Sequence, residues 1–181
     1  MNILPTPFEG LLLLESPRFE DRRGSFRKVF NEDFFRENGL VTGFSELYYS
    51  VSHRDVIRGM HFQLPPHDHV KMVYVTRGRI LDAVVDIRTE SPTYGQHFRV
   101  MLSQEDDRYL YIPSGFAHGF CSLEDDTIVN YAQTSCHAPE ADCGIRFDSC
   151  GIEWPTESPV VSGRDLTFAT MADFISPFRF S

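Results

Sequence analysis

Arg58-Gly59-Met60-His61-Phe62-Gln63 puts a guanidinium, a glycine and an imidazole close together in a run that reads as a β-strand. Strand side chains alternate between faces. An unbroken strand therefore puts Ile57, Gly59 and His61 on one face and Arg58, Met60 and Phe62 on the other. Gly59 has no side chain, so another backbone or a ligand can approach it closely. Pro65-Pro66 ends the strand, because proline cannot donate to a ladder. A lone histidine at a strand end is usually a hydrogen-bonded structural residue. His61 has to be weighed with the histidines that follow it.

Outward from this stretch, most of the chain reads as short strands. Upstream lie Gly10 to Glu15, Ser25 to Phe30 and Phe44 to Val51. Phe19 to Gly24 reads as a charged turn. Asn31 can cap a short helix over Glu32 to Glu37, which Asn38-Gly39 stops. Downstream, Val70 to Thr76 and Arg79 to Ile87 predict a hairpin across Arg77-Gly78. Gln96 to Leu102, Tyr109 to Ile112, Gly119 to Leu123 and Thr127 to Thr134 continue the series. The tail after Trp154 is irregular, with a short helix expected near Thr170 to Phe174. Many strands and little helix predict an all-β antiparallel sandwich or barrel. No repeat or linker divides residues 1–181, so one domain is expected.

The 181 residues are 41% hydrophobic, enough for a sizeable core. A formal net charge of -9 lacks the basic footprint of a nucleic-acid binder. An anionic small molecule can still bind where a few cations converge. No signal peptide and no membrane-length apolar run is visible. Cys121, Cys136, Cys143 and Cys150 form no C-x-x-C pair. Free thiols in a reducing cytoplasm are expected.

His61, His67, His69 and His118 form the chemical cluster, with Pro113-Ser114-Gly115-Phe116-Ala117-His118 as a second local signal. His67-x-His69 followed by Pro-x-Gly-x-x-His resembles the pattern of the cupin barrel, a jelly roll that often holds a metal. Here Lys71 follows the histidines where a carboxylate ligand is expected, and a lysine repels a divalent cation. No metal is expected.

A narrower resemblance covers nearly the whole chain. It rests on Phe19-x-Asp21-x-Arg23-Gly24-x-Phe26, Arg58 to Gln63, Lys71, Val85-Asp86-Ile87-Arg88 and Ser91-Pro92-Thr93-x-Gly95. Pro113 to Phe120, Tyr131, Gly151-Ile152-x-Trp154-Pro155, Ser162 and Asp165 complete it, in register. This pattern resembles the dTDP-4-dehydrorhamnose 3,5-epimerase family. The resemblance implies a cupin-type antiparallel double-stranded β-helix with short peripheral helices. It also implies a cytoplasmic homodimer without cofactor, acting on a nucleoside-diphosphate 4-keto-6-deoxyhexose. By the resemblance, His61 is the base, Asp165 its carboxylate partner, Tyr131 the acid, and Lys71 with His118 the holders of enolate charge. Arg23, Arg58 and Arg164 match positions that grip the diphosphate. Lys28, Tyr48 and Gln63 complete the expected substrate contacts.

Taken singly, these residues have plainer readings. Tyr131 can be strand packing, Asp165 a turn residue, Arg23 a solvated loop, and Asp86 with Arg88 a structural pair. The chain also departs from the family pattern. Lys28 replaces an acidic residue, Glu46-Leu47-Tyr48-Tyr49-Ser50 replaces Gln-x-Asn-x-Ser, and Cys136-His137 replaces an aromatic pair. These changes leave open the nucleotide and the choice of C3, C5 or both. Tyr48 or Tyr49 can offer a stacking face to a base. The competing functions are a 3,4-ketoisomerase, a non-catalytic sugar-binding cupin and a metal-dependent cupin. The retained His61, Asp165 and Tyr131 favour the epimerase.

Overall fold

The computed structural model describes residues 1–180. Two antiparallel sheets face each other. The six-stranded sheet contains β1 (Asn2–Pro5), β2 (Leu12–Glu15), β5 (Glu46–Ser52), β7 (Lys71–Arg77), β10 (Arg108–Ile112) and β12 (Thr127–Gln133), in the order β1-β2-β10-β7-β12-β5. The five-stranded sheet contains β6 (Ile57–Gln63), β8 (Arg79–Asp86), β9 (His97–Ser103), β11 (Phe116–Ser122) and β13 (Asp142–Gly144), in the order β13-β6-β11-β8-β9. β3 (Arg18–Asp21) and β4 (Gly24–Arg27) form a separate hairpin, so strand pairing reaches into the stretch read as a charged turn. This is the expected cupin-type jelly roll.

Alternation places the core. Leu13, Val73, Leu110 and Val129 from one sheet meet Ile80, Val84, Phe116 and Phe120 from the other. The outer face of the five-stranded sheet is covered by the C-terminal tail through Ile145, Ile152 and Phe178. The outer face of the six-stranded sheet is covered by Phe30, Phe44 and helix α1 (Glu32–Glu37), which buries Phe35. The Asn31 side chain accepts from the Phe34 N–H, so the helix begins where its cap predicts.

Three expectations fail. β7 and β8 do not pair as a hairpin, because they belong to different sheets. Gly78, at φ +76, is the corner where the chain crosses between them, and a Cβ there would clash with the Thr127 hydroxyl. Residues 170–174 form turns; the short helix of the tail is a 3-10 turn over Asp165–Thr167. The faces of β6 also depart from simple alternation. The pairing of β6 with β11 shifts register between His118 and Phe120, opposite Gly59. That shift changes the phase of the strand, so Arg58 and His61 line the same cavity while Met60 packs in the outer core.

Candidate active site

The register shift rests on glycine. Gly59 sits at φ +130, and a Cβ there would lie 2.5 Å from Gly119 Cα and 2.8 Å from the His118 carbonyl oxygen. The close approach expected at Gly59 is thus the backbone of β11. The Gly59 N–H also donates to Asp165 Oδ2 at 3.3 Å. One residue therefore turns Arg58 inward and anchors the carboxylate behind His61.

The cavity, about 410 Å³, opens at one end of the sandwich between the two sheets. From the five-stranded sheet come Arg58, His61 and His118; His61 and His118 are cross-strand partners. From the six-stranded sheet come Lys71 and Tyr131, joined by Tyr48 and Ser50 on the edge strand β5. The 3-10 turn brings Asp165, almost wholly buried, to 3.0 Å from His61 Nε2. The Asp165 N–H is held by the Ser162 hydroxyl at 3.1 Å. A turn residue in sequence is here the partner of the central imidazole.

Tyr131 is clamped. The Tyr48 ring stacks on it with centroids 4.6 Å apart and planes 16° apart. Tyr48 in turn donates its hydroxyl to Gln133 Oε1 at 2.9 Å. Ser50 Oγ lies 3.3 Å from the Tyr131 hydroxyl, and the His118 ring meets Tyr131 edge-on at 6.4 Å. Lys71 is buried on the cavity wall and has no hydrogen-bond or ion-pair partner among the described residues.

Other expected residues are placed differently. Gln63 lines the cavity, yet its amide is occupied: Nε2 donates to the His67 carbonyl at 2.8 Å and Oε1 accepts from the Ala138 N–H at 2.7 Å. Arg164 reaches the cavity and already holds Asp142 and Asp165. Arg23 lies on the exposed β3–β4 hairpin, paired with Asp21 at 2.5 Å, and Lys28 is exposed beyond it. Neither lines the cavity of its own chain. Asp86 forms the structural pair with Arg88 at 2.8 Å and also accepts from Ser91 and Thr93. Among the described residues no group of three or more His, Cys, Asp and Glu is arranged to hold a metal.

Sequence reasoning missed Asp82, Asp142, Ser50 and Gln133. Asp82 was visible as a lone carboxylate in the apolar run Ile80 to Val85, and it lies 2.9 Å from His118 Nε2. Ser50 shares the face of Tyr48 by strand alternation.

The family model for dTDP-4-dehydrorhamnose 3,5-epimerase matches residues 5–173. The chain belongs to the dTDP-4-dehydrorhamnose 3,5-epimerase family. A dTDP-4-dehydrorhamnose 3,5-epimerase from Methanothermobacter thermautotrophicus is 45% identical over 158 residues, covering 86% of this chain and 85% of the relative. The structure of dTDP-6-deoxy-D-glucose-3,5-epimerase from Legionella pneumophila, in complex with dTDP-4-keto-L-rhamnose, superposes with a TM-score of 0.94 at 32% identity. That match covers 99% of this chain and 98% of the Legionella chain. A 3′-monoepimerase from Streptomyces bikiniensis, in complex with dTDP-quinovose, matches with a TM-score of 0.88 at 32% identity, over 93% of this chain and 87% of its own.

In this epimerase-family site, burial sets the protonation states. Desolvation lowers the His61 pKa against the opposing pull of Asp165, which favours a neutral imidazole at neutral pH. Burial alone would raise Asp165, but the hydrogen bonds from His61, Gly59 and Ser162 bring it to about 2. Desolvation lowers Lys71 to about 8, with Asp142 and Asp82 resisting the fall. Burial pushes the Tyr131 phenol well up, so it keeps its proton. A neutral base, a protonated phenol and a buried ammonium face one cavity.

Proposed function

We propose that this chain is a nucleotide-sugar epimerase that inverts C3, C5 or both of a nucleoside-diphosphate 4-keto-6-deoxyhexose. One observation carries the reading. His61, backed by Asp165 from the 3-10 turn, stands on the five-stranded sheet and Tyr131 on the six-stranded sheet, on opposite walls of one cavity. A sugar ring between the walls has a base on one face and an acid on the other.

The C4 ketone acidifies the hydrogens on C3 and C5. His61 takes one as a proton, and its electron pair becomes the enolate with negative charge on O4. Asp165 holds the imidazole and stabilises the imidazolium that forms. Lys71, with no protein partner, and His118 stabilise O4. The Tyr131 hydroxyl gives a proton to the same carbon from the opposite face, which inverts it. Solvent returns a proton to the phenolate, and Ser50, at 3.3 Å, can relay it by taking one proton from water as it gives its own. His61 loses its proton to solvent.

Arg58 binds the diphosphate. Among the described residues it has no carboxylate partner, and only the Ser52 hydroxyl and the Val51 carbonyl hold it. Arg164 supports it from beside His61. Tyr48 is already stacked on Tyr131, so its first role here is to brace the acid. The protein acts as a homodimer. Leu47, Tyr49 and Val51 are exposed on the edge strand β5, and Phe19 and Phe26 on the β3–β4 hairpin. In a dimer the Arg23 hairpin can serve a cavity other than its own chain's. The four cysteines are unpaired, which suits a cytoplasmic enzyme.

The test is His61→Asn. The variant should retain affinity for dTDP and lose exchange of sugar α-protons with solvent by ~10²–10⁴-fold, the usual worth of a general base. Exchange at the wild-type rate removes His61 from the reaction.

A further inference from the structure

The Asp82 carboxylate is a fully buried acid on the cavity side of β8 that the proposed mechanism does not use. Strand alternation points it inward between Ile80 and Val84, both core residues. It is fully buried. Among the described residues its only hydrogen-bond partner is His118, whose Nε2 lies 3.1 Å from Oδ1 and 2.9 Å from Oδ2. A carboxylate sealed from water is costly, and an apolar residue of similar volume often serves stability as well or better. The acid therefore calls for a role other than packing.

Its position suggests one. His118 is the cross-strand neighbour of His61, so two imidazoles stand side by side on the cavity wall, each with a carboxylate behind it. We propose that Asp82 is a positioning residue for the epimerisation: it fixes the His118 imidazole as the Nε2–H tautomer and keeps positive charge on the cavity wall where O4 would lie. The inference rests on the epimerase reading.

With Nε2–H directed at Asp82, Nδ1 is the nitrogen left for a ligand. A second proton on Nδ1 makes His118 a donor to the enolate oxygen, and the Asp82 charge stabilises that imidazolium. Lys71 feels the same carboxylate, which opposes the loss of its proton caused by burial. The other titratable groups that line the cavity with Lys71 are Glu46 and Tyr48 on β5, Arg58 and His61 on β6, His118 on β11, Tyr131 on β12, Asp142 on β13, and His69, His137 and Arg164 outside the strands. Asp82 and Asp142 are the two carboxylates that hold the Lys71 proton in place.

The test uses the full-length enzyme, dTDP-4-keto-6-deoxyglucose as substrate and dTDP as the binding probe. Asp82→Asn should lower kcat for α-proton exchange by about 100-fold, comparable to loss of one oxyanion donor. Affinity for dTDP should stay within about twofold, because no phosphate contact is assigned to Asp82. The alkaline limb of the kcat profile should move to lower pH, because Lys71 loses a carboxylate that holds its proton. A purely structural role predicts a lower melting temperature with an unmoved limb and full rate per folded molecule, and that result overturns the proposal. Nitrogen-15 NMR of wild-type His118 is a check that needs no variant. A proton on Nε2 is expected, and an Nε2 that carries none would refute it. If the wild-type enzyme exchanges no α-proton, the epimerase reading has failed. If it does and Asp82→Asn matches it, only this inference has failed.

Discussion

Gly59→Ala should disable the site without touching a reacting group. A Cβ at residue 59 would lie 2.5 Å from Gly119 Cα and 2.8 Å from the His118 carbonyl, contacts made by backbone that cannot swing aside. The backbone at φ +130 is also a conformation that alanine rarely adopts. Overpacking and backbone strain each cost ~1–3 kcal/mol. Together they remove ~2–6 kcal/mol from a total stability of ~5–15 kcal/mol. The variant should be strongly destabilised yet folded in its more stable backgrounds. What folds should have β6 displaced from β11, with the Arg58–His61 face and the Gly59 N–H contact to Asp165 lost. Chemical denaturation followed by fluorescence measures the first effect, and calorimetry with dTDP the second. Gly43→Ala is the control, since nothing lies within 4 Å of its Cβ, and it should stay within ~0.5 kcal/mol of wild type. If Gly59→Ala unfolds with the wild-type midpoint and binds dTDP normally, the close approach does not organise the site.

Tyr131→Phe should block inversion more than exchange, because His61 can still remove a proton and return it to the same face; equal loss of both, seen by NMR of the sugar, would make the hydroxyl a binding group. The rate should follow a bell in pH. His61 must be neutral to accept a proton, and burial lowers its pKa, so activity should persist below pH ~6.5, the ordinary imidazole value. Lys71 must be charged, and it titrates at about 8, so activity should fall as the pH rises past that point; a flat profile to pH 10 would remove the ammonium from the mechanism. Arg58→Ala should weaken dTDP binding by ~1.5–3 kcal/mol, the range for charged hydrogen bonds, measured by calorimetry.

The parts of this molecule legible in sequence are those set by local chemistry. Asn31 caps α1 at the predicted residue because a cap involves only the first turn. The short strands were legible because each carries its own alternation. Partners were harder to read. Arg77-Gly78 has the composition of a hairpin, but a glycine at a sheet corner has the same composition, and only the distant pairings of β7 with β12 and β8 with β11 separate the two. The face of Arg58 was misread for the same reason: the register shift is a property of β6 and β11 together. His61, His118, Lys71, Tyr131 and Asp165 could be named from the family pattern, although Asp165 lies a hundred residues from His61 and reads locally as a turn. Asp82 belongs to no local motif, and its meaning appears only when β8 and β11 lie side by side. Arg23 and Lys28 sit outside the cavity of their own chain, which no reading of a single sequence could foresee.

The central claim is that this cavity makes and reprotonates an enolate of a 4-keto sugar. Incubating the wild-type enzyme with dTDP-4-keto-6-deoxyglucose in deuterated water and recording proton NMR of the sugar tests it most directly. The account predicts loss of the C3 signal, the C5 signal or both, with new signals of the inverted sugar. A sugar that keeps both signals and its configuration in the presence of folded enzyme, with the CDP-, UDP- and GDP-linked analogues equally inert, would contradict it.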